Sequence, residues 1–157
     1  MIVLVMGVAG VGKTTIGAAL ARALGWRFID ADDYHPPQNV AKMQAGIPLE
    51  DADRWPWLAR LNELLREEDD AVLACSALKQ SYRERLSQGF SDFRIVYLHG
   101  SAELIRARME TRSHRFMPAV LLESQLAALE PPRDAIAIDV AADPSTCVAA
   151  IVARLKK

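Results

Sequence analysis

The stretch Gly7-Val8-Ala9-Gly10-Val11-Gly12-Lys13-Thr14 directly follows the apolar run Ile2-Val3-Leu4-Val5-Met6. It matches the pattern G-x-x-x-x-G-K-[ST], which is typical of a phosphate-binding loop, or P-loop. Glycines let successive backbone N–H groups curl around phosphate oxygens, whereas a larger side chain would obstruct that approach. The pattern therefore predicts a nucleotide site that consists of these eight residues and Thr15.

Two side chains of the P-loop are predicted to act on a bound nucleotide. Lys13 can reach the β- and γ-phosphates, and the hydroxyl of Thr14 can ligate Mg²⁺. Residues 14–24 are rich in Ala and Leu at helical spacing, so a helix begins where the phosphates would lie, and its dipole attracts them. A chance glycine-rich turn is the alternative, but the order strand, loop, helix favours a nucleotide site.

The composition predicts one ordinary globular domain. The chain has 157 residues, of which 51% are hydrophobic and 25% are charged, and its net charge is −1. Such a charge provides no general attraction to nucleic acid or to a membrane surface, and the apolar runs are far shorter than the roughly 20 residues of a membrane span. We therefore expect a cytoplasmic protein without nucleic-acid or membrane partners. Cys75 and Cys147 lack metal-site spacing and are predicted to be buried thiols.

Three acidic residues, Asp30, Asp32 and Asp33, follow the predicted strand 27–29. At the carboxyl end of a strand in an open α/β sheet they would face the same crevice as the P-loop. They could instead form a solvated turn with a helix cap. Beside a magnesium nucleotide, one carboxylate could orient metal-bound water and another could accept a proton from a substrate hydroxyl.

The predicted strand 71–76 ends without an aspartate. Many P-loop enzymes use an acid at that place to help hold Mg²⁺. Its absence shifts the metal-binding role to Thr14, to water and to the acids near Asp30.

Two groups of basic residues are candidate ligands for anions. Lys79 and Arg83 lie four residues apart on one predicted helix. They could belong to a solvated surface, or they could form a clamp for a carboxylate or phosphate. Arginines also crowd the end of the predicted helix 101–111 more densely than a helix dipole requires. This density fits a lid, at about 108–120, that closes on the transferring phosphate. We expect Arg108, Arg112 and Arg115 to gather around the phosphates there, with Arg112 acting in catalysis.

Predicted strands and helices alternate along the chain with short loops. The strands are 2–6, 27–29, 71–76, 93–98 and 135–140, and the helices between and after them include 14–24, 38–45, 78–86, 101–111, 119–129 and 145–155. This alternation predicts a single α/β domain over residues 1–157, a three-layer sandwich around a five-stranded parallel sheet. The layout resembles nucleoside monophosphate kinases and small-molecule kinases of the P-loop class, which implies the strand order 2-3-1-4-5.

Further motifs cover nearly the whole chain. They are Asp30-Ala31-Asp32-Asp33-Tyr34-His35-Pro36, Asn39, Lys42-Met43, Gly46-Ile47-Pro48-Leu49, Asp51, Asp53-Arg54, Pro56-Trp57-Leu58, Cys75-Ser76-Ala77-Leu78-Lys79, Tyr82-Arg83, Phe116-Met117-Pro118, Leu121-Leu122, Ser124-Gln125 and Leu129-Glu130. In this order they resemble the gluconokinase family. The resemblance implies transfer of phosphate from ATP to the 6-hydroxyl of D-gluconate, dependence on Mg²⁺, and a homodimer. One departure is that Arg115 stands where the family usually has His, with His114 one residue earlier.

The resemblance also implies roles for individual residues of the acidic cluster. Small phosphotransferases place the first acid of their D-x-D by the metal and the second by the substrate, so Asp30 is expected near Mg²⁺ and Asp32 at the substrate hydroxyl. The sugar acid's anionic end needs cations on the opposite wall, in a substrate-binding helical segment at about 34–66 and beyond it. Candidates are Arg54 and Arg83 as bidentate donors, with Lys79 and His35 as weaker ones.

Other functions remain as alternatives. A kinase for shikimate, adenylylsulfate or a nucleotide would share the P-loop and the lid but would lack the pattern between Asp33 and Leu58. A non-catalytic ATP-binding module would keep the P-loop without needing the acids of the second strand. A guanine-specific switch would normally contain Asn-Lys-x-Asp, which is absent from the sequence.

Overall fold

The computed structural model of the chain describes residues 1–111 and 120–156. In these residues five parallel strands form one sheet in the order β2-β3-β1-β4-β5, which confirms the predicted order. The strands are β1 (Ile2–Met6), β2 (Arg27–Asp30), β3 (Ala71–Ala74), β4 (Phe93–His99) and β5 (Ile136–Asp139). The third strand is shorter than predicted, so Cys75 and Ser76 belong to the loop that follows it.

Helices connect the strands and cover both faces of the sheet. They are α1 (Lys13–Leu24), α2 (Pro37–Gln44), α3 (Asp51–Arg66), α4 (Gln80–Ser87), α5 (Ala102–Thr111), α6 (Val120–Ala128) and α7 (Pro144–Leu155). A 3₁₀ helix over Ala31–Tyr34 was not predicted; it begins where the side chain of Asp30 accepts a hydrogen bond from the backbone N–H of Asp32. None of the helices described is long and apolar enough to cross a membrane.

Strand β1 lies at the centre of the sheet, and its side chains point alternately into the cores on the two faces. Val3 and Val5 pack on the side of α1, α5 and α7, whereas Ile2, Leu4 and Met6 pack on the side of α3 and α4. All five side chains are buried. A strand covered on both faces is typical of parallel sheets and gives the predicted three layers.

The register of the strands places the loops of the site at one edge of the sheet. Val5 and Asp30 both pair with Ala74, from opposite sides of β3. The chain therefore leaves all three strands at nearly the same level, into the P-loop, the 3₁₀ helix and the loop that begins at Cys75.

Arg83, predicted as a substrate ligand, is instead a structural residue of the core. It is 2% exposed, and its guanidinium donates to the backbone oxygens of Ala77, Leu78 and Glu130 at 2.7 to 3.0 Å. Burial lowers the pKa of Arg83, and the charge of Glu130 partly opposes this. Lys79 and Arg83 thus do not form the clamp that their helical spacing suggested.

We expect Arg83→Met to lower the free energy of unfolding by about 2–4 kcal/mol, because it removes a charged donor from buried carbonyl groups. Arg85→Met is the matched control on the same helix, since Arg85 contacts the side chain of Gln88 at the surface. The control should change stability by less than about 0.5 kcal/mol. Equal effects in urea-induced unfolding would contradict the structural role.

Candidate active site

The P-loop has the backbone conformation that its glycines permit. Gly10 and Gly12 have φ angles of 86° and 94°, in the left-handed region, and Gly12 is the N-terminal cap of α1. Lys13 folds back over the loop and donates from Nζ to the backbone oxygen of Val8 at 3.1 Å. Burial lowers the pKa of Lys13, while the charges of Asp32 and Asp30 act in the opposite direction.

A cleft of about 210 Å³ lies beside the P-loop. Its walls are the tip of the loop, the first turn of α1, Arg108 and the segment after β5, represented by Val140, Ala142 and Pro144. Arg108 donates from Nη2 to the backbone oxygen of Val140 at 2.6 Å, which fixes the end of α5 against this segment. The structure thus places Arg108 next to the P-loop, and Arg112 and Arg115 lie outside the described residues.

Asp30 and Thr14 are brought together as a pair of oxygen donors. The hydroxyl of Thr14 donates to Oδ2 of Asp30 at 3.1 Å. Burial raises the pKa of Asp30, and the nearby charge of Asp32 adds to this. No group of three or more His, Cys, Asp or Glu side chains within 1–111 and 120–156 is arranged to hold a metal ion. A cation here would therefore depend on water and phosphate oxygens as well as on this pair.

Asp32 presents its carboxylate to the crevice. Its side chain is 85% exposed, and Oδ1 lies 3.7 Å from Nε2 of His35. The pKa of Asp32 is below its ordinary value, chiefly through the nearby imidazole of His35 and further through the positive charge of Lys13. An ionised, accessible carboxylate at this place can accept a proton from a bound hydroxyl.

Cys75 occupies the position just after β3 where an acid was missing from the sequence. Burial raises the pKa of its thiol to about 12, so the group is neutral at physiological pH. Cys75 and Cys147 are both buried free thiols, as predicted.

The side chain of His35 is covered by its neighbours, in contrast to its prediction as a weak ligand of the substrate. Its side chain is only 4% exposed. The imidazole stacks on the indole of Trp57, with ring centroids 4.0 Å apart and planes inclined by 17°. Trp57 in turn donates from Nε1 to the backbone oxygen of Ala31 at 2.8 Å. Helix α3 thereby holds in place the 3₁₀ helix Ala31–Tyr34 and its cap Asp30, which we call the acid-bearing turn.

Arg54 and Lys79 remain as accessible cations, and both flank the ring of Tyr82. The guanidinium carbon of Arg54 is 5.3 Å from the ring centroid and Nζ of Lys79 is 5.9 Å from it. Arg54 also donates from Nη1 to the Tyr82 hydroxyl at 3.2 Å, and that hydroxyl donates to the carboxylate of Asp51. Arg54 lies about one helical turn before Trp57 on α3.

Gln125 is a residue of the site that the residue-level reasoning missed. Its side-chain oxygen accepts a hydrogen bond from the backbone N–H of Ala9, in the P-loop, at 2.7 Å. The two residues are 116 positions apart, so no local pattern indicates the contact. The one available signal was that Ser124-Gln125 belongs to the motifs of the resemblance.

Comparisons with known proteins show the family to which the chain belongs. The family model described as shikimate kinase matches residues 9–142. A probable gluconokinase from Xenopus tropicalis is 46% identical to this chain, over 96% of this chain and 91% of that protein. A gluconokinase from Gluconobacter oxydans is 51% identical over 83% of this chain and 75% of that protein.

Solved structures of kinases are also similar to this chain. The crystal structure of a gluconokinase from Sinorhizobium meliloti superposes with a TM-score of 0.90 and 45% identity, covering 98% of this chain and 90% of that one. A shikimate kinase from Bacteroides thetaiotaomicron has a TM-score of 0.70 at 16% identity, with coverage of 100% and 99%, and so shares the fold. With identity above 40% over most of the chain to proteins named as gluconokinases, the chain belongs to the gluconokinase family, within the P-loop kinase fold.

Proposed function

We propose that the protein transfers the γ-phosphate of ATP to the 6-hydroxyl of D-gluconate, giving 6-phospho-D-gluconate and ADP. The observation that carries this proposal is the convergence of Lys13, Asp30 and Asp32 at one edge of the sheet, in a chain whose relatives are gluconokinases. In the reaction the hydroxyl oxygen forms a bond to the γ-phosphorus, the bond from that phosphorus to the bridging oxygen of ADP breaks, and the hydroxyl proton passes to Asp32.

The residues of the P-loop would hold the phosphates of ATP through their backbone N–H groups and through Lys13. The cleft between the loop, Arg108 and the segment after β5 adjoins the tip of the P-loop, so it is suited to the adenosine part. Arg108 already lies at this cleft. We propose that Arg112 and Arg115 join it from a lid at about 108–120, where their charge would stabilise the phosphoryl group during transfer.

The oxygen pair of Thr14 and Asp30 fits Mg²⁺, which prefers oxygen ligands and usually keeps several waters. Thr14 would ligate the ion directly, and Asp30 would hold its water. When bound, Mg²⁺ supplies positive charge against the β- and γ-phosphate oxygens. A cation would also stabilise the ionised form of Asp30, whose pKa burial raises.

The substrate would lie between the acid-bearing turn, the start of α3 in the helical segment at about 34–66, and the start of α4. Asp32 would contact the 6-hydroxyl, and Arg54 and Lys79 would bind the carboxylate at the other end. Arg54 is the stronger candidate because a guanidinium can form two parallel hydrogen bonds to a carboxylate. His35 and Arg83 are left out of this set, since both side chains are buried.

As the family resemblance implies, we further propose that the protein acts as a cytoplasmic homodimer.

A panel of acceptors tests the proposed function. ADP release should be measured with ATP and Mg²⁺ in the presence of gluconate, other aldonates, shikimate or nucleoside monophosphates. We expect gluconate to give the highest kcat/KM. Shikimate is the second candidate because the shikimate kinase model matches residues 9–142, and a preference for it would overturn the proposal. ATP binding without transfer to any acceptor would indicate a non-catalytic module.

The first prediction in this group concerns Lys13. Lys13→Ala removes the charge that the P-loop places at the β- and γ-phosphates, so turnover should fall by about 100-fold or more and ATP affinity should also fall. The control is Arg22→Ala, an exposed cation on the same helix, which should keep both values within about twofold. Turnover of Lys13→Ala at the level of the control would contradict the P-loop assignment.

A second prediction separates Asp32 from its neighbour Asp33. Asp32→Asn should lower kcat by about 100-fold while the dissociation constant of ATP stays within about threefold, because the change removes the proton acceptor and keeps the shape. Asp33→Asn alters another exposed acid one residue away and should have little effect. If the two variants lose activity equally, the acidic turn acts through its overall charge rather than through Asp32.

The third prediction concerns the gluconate carboxylate. Arg54→Ala should raise the KM for gluconate by about 10-fold or more, with a smaller change in kcat, because it removes a charge-assisted hydrogen bond to the ground state as well as the transition state. Arg60→Ala provides the control, since Arg60 is an exposed arginine of the same helix. An unchanged KM would show that the carboxylate binds elsewhere.

A further inference from the structure

The imidazole of His35 is fixed by three neighbours. One face lies flat on the indole of Trp57, as described above. Nδ1 faces the side-chain nitrogen of Asn39 at 3.3 Å, and Nε2 faces Oδ1 of Asp32 at 3.7 Å. The ring therefore joins a buried amide on one side to the exposed carboxylate of the active site on the other.

The orientation of the Asn39 amide determines which ring nitrogen carries the proton. Asn39 is buried, and Nδ2 also donates to the backbone oxygen of Asp53 at 3.0 Å. A carbonyl oxygen only accepts, so the amide nitrogen must face it, and the same nitrogen faces His35. Because this nitrogen donates both of its hydrogens, Nδ1 of His35 must be an acceptor without a proton. The neutral imidazole then has its hydrogen on Nε2, directed at Asp32.

The helices that hold Asn39 are themselves tied together. The carboxylate of Asp53 accepts from Nζ of Lys42 on α2 at 2.9 and 2.8 Å and from the backbone N–H of Glu50 at 2.9 Å. Asn39 and Lys42 belong to α2, and Asp53 belongs to the first turn of α3. The amide that orients His35 is thus part of a joint between two helices rather than of a loose loop.

We propose that His35 is a positioning residue: its Nε2–H directs the carboxylate of Asp32 toward the acceptor hydroxyl, and Asn39 sets the tautomer that makes this possible. The inference rests on the role of Asp32 in the proposed function. The distance of 3.7 Å exceeds that of a normal hydrogen bond. A small rotation of the exposed carboxylate would close it, and catalytic hydrogen bonds often shorten only when substrate is bound.

Two substitutions separate the N–H donor from the ring. His35→Gln keeps an N–H donor near the position of Nε2, whereas His35→Phe keeps an aromatic ring on Trp57 and has no donor. Both remove Nδ1, the ring nitrogen that faces the amide of Asn39, so they share that loss. We expect His35→Phe to lower kcat about 10-fold or more and His35→Gln to retain most of it, with ATP affinity within about twofold in both. Equal kcat losses in the two variants would overturn the proposal.

A second measurement does not depend on activity. The ¹⁵N shifts of the imidazole nitrogens, recorded by NMR on the unaltered protein at neutral pH and assigned with His35→Gln, report the tautomer. We expect a neutral ring with its proton on Nε2. A proton on Nδ1, or on both nitrogens, would overturn the role of His35 even if the enzyme phosphorylates gluconate. Failure of the unaltered protein to phosphorylate any acceptor in the panel would overturn the proposed function, whatever the tautomer.

Discussion

The alignment of strands β1, β2 and β3 determines where this protein can carry out chemistry. Val5 and Asp30 flank Ala74 across the sheet, and helices cover both faces of the central strand, so polar groups of the site can only follow the strand ends. The P-loop, the acid-bearing turn and the loop after β3 are adjacent for this reason. These three loops lie together whatever their separation in the sequence, because the parallel register brings the carboxyl ends of the strands to one edge of the sheet.

The balance of charges at this edge of the sheet favours a neutral thiol, Cys75, over an acid in the loop after β3. Lys13 lies near the carboxylates of Asp30 and Asp32. Burial lowers the pKa of Lys13, and the negative charge of the two carboxylates raises it. An additional acid at Cys75 would stand close to Asp30 and Asp32 and would raise the cost of ionising all three. The neutral thiol avoids that repulsion before any cation binds. The contact between Thr14 and Asp30 then takes the place of the missing strand-end acid as the candidate metal site.

Sequence reasoning succeeded where the physical cause is local or periodic, and failed where it lies in distant contacts. The strands and the P-loop follow from apolar runs and a short motif, and the strand order follows from the resemblance to P-loop kinases. Arg83 looked like a surface cation beside Lys79, yet one of its acceptors, the carbonyl of Glu130, lies 47 residues away. His35 looked like a cation for the substrate, but its burial depends on Trp57 and on Asn39. No spacing rule reveals which polar side chain a later helix will cover.

The rigidity of the acid-bearing turn depends on contacts made well outside it. Asp53 joins α2 to α3 through Lys42, and its backbone oxygen receives the Asn39 amide, while Trp57 binds Ala31 one turn further along α3. A substitution that weakens the contacts between α2 and α3 would therefore displace Asp32, through the backbone at Ala31 and through the ring of His35. Loss of activity after a substitution in α2 or α3 is thus compatible with a residue that never touches a substrate. Exposure separates the two cases, because a residue proposed to bind substrate, such as Arg54, must remain accessible, whereas Asn39 and Trp57 are buried.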